Sequence, residues 1–139
     1  MMKYFRFTIC IALILAPLFT HAQLNQDAMP DDEIFAFLSG NTIGAHDWNT
    51  DGTFSYEYHG INGEAIWREG EDILVGQYRI ENSSVCYTYE ESELEDWFCW
   101  DFKRDRRTGD VYQWADYGDY YRLYIFGAGD LVSDPDLAE

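Results

Sequence analysis

Two cysteines, Cys86 and Cys99, stand inside two stretches of alternating aromatic residues, Val85-Cys86-Tyr87-Thr88-Tyr89 and Trp97-Phe98-Cys99-Trp100-Asp101-Phe102. A period of two marks half-buried strands. If Val85, Tyr87 and Tyr89 face the interior, Cys86 faces outward. If Phe98, Trp100 and Phe102 face the interior, Cys99 faces outward as well. Both sulfurs then lie on the outer face of adjacent strands, where a cross-strand disulfide can form. Closing a loop of about 15 residues is worth roughly 3 kcal/mol through the entropy of the unfolded chain. Trp97 shares the outer face and is expected to pack over the bridge. A redox role would call for a closely spaced pair such as C-x-x-C, which is absent.

A disulfide requires an oxidising compartment, and the start of the chain supplies the route. Lys3 and Arg6 precede an apolar run from Phe7 to Phe19, and Thr20-His21-Ala22 places small residues where a signal peptidase reads. Residues 1–22 are therefore predicted to be a secretory signal peptide, and the mature protein to be periplasmic or secreted with no membrane attachment. Cys10 lies within the apolar run and not at the cleavage point, which argues against a lipoprotein. Residues 23–139 suffice for one domain with a core.

The mature chain reads as a polar lead-in over 23–29, a single β domain over 30–129 and an acidic, loose tail over 130–139. Pro30-Asp31-Asp32-Glu33 begins a short helix that packs Ile34, Phe37 and Leu38 and ends near Gly40. From Asn41 onward the period is two. Phe54, Tyr56 and Tyr58 alternate with Ser55, Glu57 and His59, and Leu74, Gly76, Tyr78 and Ile80 alternate with Val75, Gln77, Arg79 and Glu81. Turn residues recur at Asp51-Gly52, Gly60, Glu69 to Asp72, Asn82-Ser83, Thr108 to Asp110 and Tyr117 to Asp119. Seven or eight strands without intervening helices predict a mainly β fold. It is an antiparallel meander, either a barrel of lipocalin-like type or a sandwich, with one short N-terminal helix.

The charge excludes one class of function. Twenty-six acidic residues against nine basic ones give a net charge of −17, which repels nucleic acid and anionic lipid. Cationic partners suit it, as does simple solubility. Glu90, Glu91, Glu93, Glu95 and Asp96 crowd the turn between the two cysteine strands and form the candidate contact for a cationic protein.

Motifs for catalysis are scarce. No histidine spacing suits a metal, no serine sits in a nucleophile elbow, and bridged cysteines offer no thiolate. This absence of motifs argues against an enzyme, and no cofactor is expected. Asp47-Trp48-Asn49-Thr50-Asp51-Gly52 resembles the first half of a calcium loop, but Tyr58 stands where the closing bidentate glutamate belongs, so a hairpin turn is expected and no metal. The aromatic content is the remaining signal, with five Trp, eleven Tyr and nine Phe. Inward-facing Tyr56, Tyr58, Tyr78, Tyr87 and Trp100 either fill the barrel or line a cavity for one small apolar ligand.

Several short motifs carry a family resemblance: Leu38-Ser39-Gly40-Asn41-Thr42-Ile43, Gly52 to Tyr58, Gly76-Gln77-Tyr78-Arg79-Ile80-Glu81, Val85-Cys86-Tyr87 and Cys99-Trp100. Across residues 29–112 the chain resembles small exported bacterial proteins of the domain of unknown function 995 type, with Tyr78 standing where a G-x-W element has tryptophan. The resemblance implies a periplasmic or secreted β-rich domain and carries over no catalytic residue. The sequence as a whole predicts an exported, disulfide-stapled, non-enzymatic binding or interaction module. The alternatives are an acidic inhibitor of a cationic envelope protein and a small hydrolase.

Overall fold

Turn residues at short intervals leave the chain little choice but consecutive hairpins. The computed structural model, which describes residues 25–47, 52–90, 97–134 and 136, closes those hairpins into a barrel. Its elements are β1 (Gln26–Ala28), α1 (Asp31–Leu38), β2 (Asn41–Asp47), β3 (Gly52–His59), β4 (Glu64–Glu69), β5 (Asp72–Glu81), β6 (Ser84–Tyr89), β7 (Phe98–Asp105), β8 (Val111–Trp114) and β9 (Tyr120–Ala128). Each of β2 to β9 pairs antiparallel with the next, and β9 returns to pair with β2. Eight strands thus form a closed up-and-down barrel, the arrangement that leaves no sheet edge exposed. The short β1 is a ninth strand, laid along β7 beyond the end of β6. Of the two architectures the sequence allowed, the barrel is the one formed.

The helix seals one end. Ile34 and Leu38 are fully buried on its inner side, while Phe35 faces solvent. The Asp31 carboxylate accepts hydrogen bonds from the backbone N–H groups of Asn82 and Ser83, at 3.3 and 2.7 Å. Those two residues turn β5 into β6 with φ of 54° and 64°, the left-handed pair a tight hairpin requires. At the other end of the helix, the Gly40 N–H donates to the His59 carbonyl at 2.7 Å. The helix is therefore tied at both ends to the rim it covers.

The staple falls where alternation predicts. Cys86 and Cys99 are direct cross-strand partners on β6 and β7 and are joined by a disulfide. Both point away from the lumen. Trp97 lies on the same outer face, with the Arg79 guanidinium 4.4 Å from its ring, and Arg79 is itself the β5 partner of Cys86. This cover leaves Cys86 buried although it points outward.

Two segments expected to be loose are not. Residues 26–28, within the expected lead-in, form β1, and Met29 is buried with its N–H on the Phe102 carbonyl. Residues 130–134, the expected start of the tail, fold back along the outside of the barrel. Val132 is fully buried there, and one Arg68 nitrogen donates to the carbonyls of Val132 and Asp134 at 3.0 and 2.8 Å. Met29 in the first case, and Val132 of the adjacent pair Leu131-Val132 in the second, found a pocket, a tertiary event invisible to local composition. The predicted signal peptide lies outside the described residues, and no helix among the described residues is long and apolar enough to cross a membrane.

Candidate functional site

The barrel is hollow. A cavity of about 380 Å3 occupies the lumen, a size suited to one small organic molecule. Leu38, His59, Tyr87 and Phe102 form its deep end beneath the helix, and all four are almost wholly buried. Its shallow end carries an aromatic rim. Phe54 stacks on Tyr121 at 5.1 Å between centroids, and Tyr121 and Tyr117 meet Trp100 edge-on at 5.9 and 6.4 Å. Tyr117, which is 77% exposed, marks the opening.

The sequence placed Tyr87 and Trp100 on the inner wall, and they line the cavity. Tyr78 is also buried, but it stands behind His59, with the rings 5.0 Å apart edge to face and its hydroxyl on the Gly60 carbonyl at 2.9 Å. Tyr56 and Tyr58 do not line the cavity, which is a correction. Ala45 pairs with Ser55 and His46 pairs with Thr53, so Phe54 has no partner of its own. That bulge resets the alternation. Phe54 and Ser55 both reach the cavity, and from there inward the lining residues are Glu57 and His59. Tyr56 is turned outside, where its ring meets Phe126 at 4.8 Å.

The bulge thus brings a carboxyl and an imidazole into an aromatic chamber. Tyr89 donates its hydroxyl hydrogen to Oε1 of Glu57. Oε2 of Glu57 lies 3.5 Å from Nε2 of His59, and that nitrogen is 3.0 Å from the Tyr87 hydroxyl. Tyr89, Glu57, His59 and Tyr87 form one connected chain. The other ring nitrogen of His59, Nδ1, is buried without a hydrogen-bond partner among the described residues.

The pairing of small residues makes room for this chain. His59 pairs with Ala65, Ala65 with Gly76, and Gly76 with Tyr89. A Cβ on Gly76 would fall 2.8 Å from Tyr89 Cδ1 and 2.0 Å from the Thr88 carbonyl oxygen. Only glycine lets the Tyr89 ring lie where it does. With Ala65 and Gly76 between them, the rings of β6 reach across to the polar groups of β3.

Burial decides the charge states. It pushes the Glu57 carboxyl up to about 7, with the Tyr89 and Tyr87 hydroxyls opposing the rise. It pushes the His59 imidazole down to about 3, with the Glu57 main-chain carbonyl giving a partial offset. Burial, with Glu57 close by, raises both tyrosine hydroxyls. Near neutrality His59 is uncharged and Glu57 is near half-ionised, so the contact between them is a hydrogen-bonding arrangement and not an ion pair. A carboxyl of raised pKa in a cavity is what the alternative of a hydrolase requires, and the sequence motifs did not reveal it.

Glu91, Glu93, Glu95 and Asp96 lie outside the described residues, while Glu90 is exposed and its N–H donates to the Val75 carbonyl at 3.0 Å. In the calcium-like segment, residues 48–51 also lie outside the described residues. No family model, no curated protein and no solved structure matches this chain.

Proposed function

We propose that this protein is an exported binding module whose barrel takes up one small, largely apolar ligand. The observation that carries the proposal is the lumen itself: about 380 Å3, walled by aromatic rings, open at Tyr117 and provided with polar groups at depth. Small-molecule sites have this composition, many apolar contacts for affinity and a few polar atoms for orientation. The disulfide is compatible with export to an oxidising compartment, as the leader sequence leads one to expect. The test is a titration with Prodan, a neutral naphthalene dye whose emission shifts to the blue in apolar surroundings. Saturable binding is expected to the wild type and not to Ala45→Phe, which adds a ring to the cavity wall. Failure of the dye to bind, or binding unaffected by the added ring, would sink the proposal.

One observation favours a second reading. Glu57, with its pKa near 7 and an adjacent neutral imidazole, is equipped to give or take a proton from a bound molecule. Incubation of protein with a bound ligand, followed by mass spectrometry, separates the two. A ligand recovered unchanged supports binding alone, whereas conversion that disappears in Glu57→Gln supports catalysis.

A further inference from the structure

Building on the binding function proposed above, we infer that the barrel cavity selects small organic cations, an ammonium group on an aromatic or apolar body, with the Glu57 carboxylate as counter-ion. The inference follows from the balance of charge within the lumen. Among the described residues that line the cavity, Glu57 is the one carboxyl, and none is lysine or arginine. An anionic ligand would be desolvated there with nothing to neutralise it, a penalty of several kcal/mol per ion. A neutral ligand can hydrogen-bond to Glu57 but neutralises no charge there. An ammonium group gains a counter-ion, and the protein gains a partner for a carboxylate otherwise costly to ionise.

The surroundings of Glu57 suit such a ligand. The groups facing it are the Tyr87 and Tyr89 hydroxyls from β6, His59 from its own strand, and its register partners Ile43 on β2 and Trp67 on β4. None of these carries a positive charge near neutrality, so among the described residues the carboxylate has no cation facing it. Its side chain retains 14% exposure, all that a bound group needs for contact. Trp67 lies directly across the β3–β4 pair, and the negative face of an indole attracts cations, worth up to about 2 kcal/mol where water is excluded. The net charge of −17 draws cations toward the mouth and repels anions from it. A divalent metal ion is a poor occupant, because it needs several oxygen ligands and this chamber presents one carboxylate among rings.

Proton linkage gives the inference a signature. Below pH 7 the free carboxyl holds its proton, and binding an ammonium ion displaces it. Affinity for an amine should therefore rise about tenfold from pH 6 to pH 8, with close to one proton released per ligand at pH 6 and almost none at pH 8.5.

The experiment uses three ligands of one shape: 2-phenylethylamine, 2-phenylethanol and 3-phenylpropanoate. Calorimetric titrations of the full chain at pH 8 should show the amine binding at least tenfold tighter than the alcohol, and the carboxylate not at all. Titration of the amine at pH 6 in two buffers of different ionisation enthalpy reads the released proton without any variant. In Glu57→Gln the amine should lose its advantage over the alcohol. Equal affinities for amine and alcohol in the wild type, or amine binding without proton release at pH 6, would overturn the inference. So would an amine preference that survives Glu57→Gln. If Prodan binds and the amine holds no advantage, the binding function stands and the cation selectivity falls. If neither Prodan nor any of the three ligands binds, both fall together.

Discussion

The hydroxyl of Tyr89 and the carboxyl of Glu57 are hydrogen-bonded across the lumen, although they sit on strands that are not neighbours in the barrel. The row of cross-strand partners from Tyr89 runs through Gly76 and Ala65 to His59, two residues along β3 from Glu57, and those small residues leave the space open. The consequence of the bond is a carboxyl held in aromatic surroundings with a donor but no cation. That combination sets the pH behaviour of the fold.

Glu57 titrates near 7 when folded and near 4.5 when unfolded, so the folded state holds the extra proton between those values. Its contribution is fully present below about 4.5 and is lost as the pH rises through 7. His59 does the reverse: its folded pKa near 3 against 6.5 unfolded costs stability as the pH falls from 6.5. Between about 4.5 and 6.5 each state carries one proton on the pair, on Glu57 when folded and on His59 when unfolded, and the two slopes cancel. Glu57→Gln should expose the imbalance. Relative to wild type, the variant should gain stability as the pH rises from 4.5 to 7, by up to about 3 kcal/mol. Urea melts of both proteins across that range check it, since subtraction removes the background of the other carboxylates. A pH-independent difference would contradict the raised carboxyl.

Gly76→Ala should be among the most damaging single substitutions. The added methyl would stand 2.0 Å from the Thr88 carbonyl oxygen and 2.8 Å from Tyr89 Cα, and both obstacles are backbone. Overpacking of this kind costs roughly 3 kcal/mol or more, because β5 and β6 must separate to accept it. The loss is read from the shift in urea midpoint, and a shift below about 1 kcal/mol would show that the strands adjust freely.

Reduction tests the staple. Cys86 and Cys99 close residues 86–99, and opening that loop should cost roughly 3 kcal/mol through the unfolded chain. The doubly substituted Cys86→Ser, Cys99→Ser protein should melt well below the wild type and should not respond to reductant. Identical denaturation of oxidised and reduced wild type would contradict the estimate.

The cysteine strands were the most legible part of the molecule, for a physical reason. Two alternating aromatic runs and one bridge impose three parity conditions on two strands, and only one placement of Tyr87, Trp100, Cys86 and Cys99 satisfies all of them. Strand β3 imposed no such check. Hydropathy favours Tyr56 and Tyr58 inside and Glu57 and His59 outside. The bulge at Phe54 reverses both, because barrel closure fixes the pairing of Ala45 and His46 and leaves one residue of β3 unopposed. The site residues most in need of recognition were therefore the ones that local alternation assigned to solvent. Val132 escaped for a related reason, since the short pair Leu131-Val132 among acids gives no period to read.

That residue makes its own prediction. Val132 is fully buried, and Arg68 holds its carbonyl and that of Asp134, two residues further on. Val132→Ala should cost roughly 1–2 kcal/mol, and Arg68→Ala a similar amount by leaving buried carbonyls unpaired. The two should not add, because either change releases the same segment. A double-mutant cycle in urea reads the coupling, and full additivity would mean that the segment is held elsewhere.

Tyr89→Phe isolates the donor on Glu57 from the burial around it. The hydroxyl favours the ionised carboxyl, whereas burial favours the neutral one, and burial prevails. Removing the hydroxyl while keeping the ring leaves the aromatic wall intact and withdraws the opposing influence. The Glu57 carboxyl should then titrate above its wild-type position, as followed by the carboxyl carbon resonance of Glu57 in labelled protein. Affinity for an ammonium ligand at pH 7 should fall with it, because more of the free protein would hold the proton that the ligand must displace. At pH 9, where the carboxyl is ionised in both proteins, the affinities should converge. Water entering in place of the hydroxyl would restore a donor and leave the titration where it was, and in that event Tyr89 would serve only to fill space. A titration that moves upward, with affinities that meet again at high pH, would identify Tyr89 as the residue that positions and tunes Glu57.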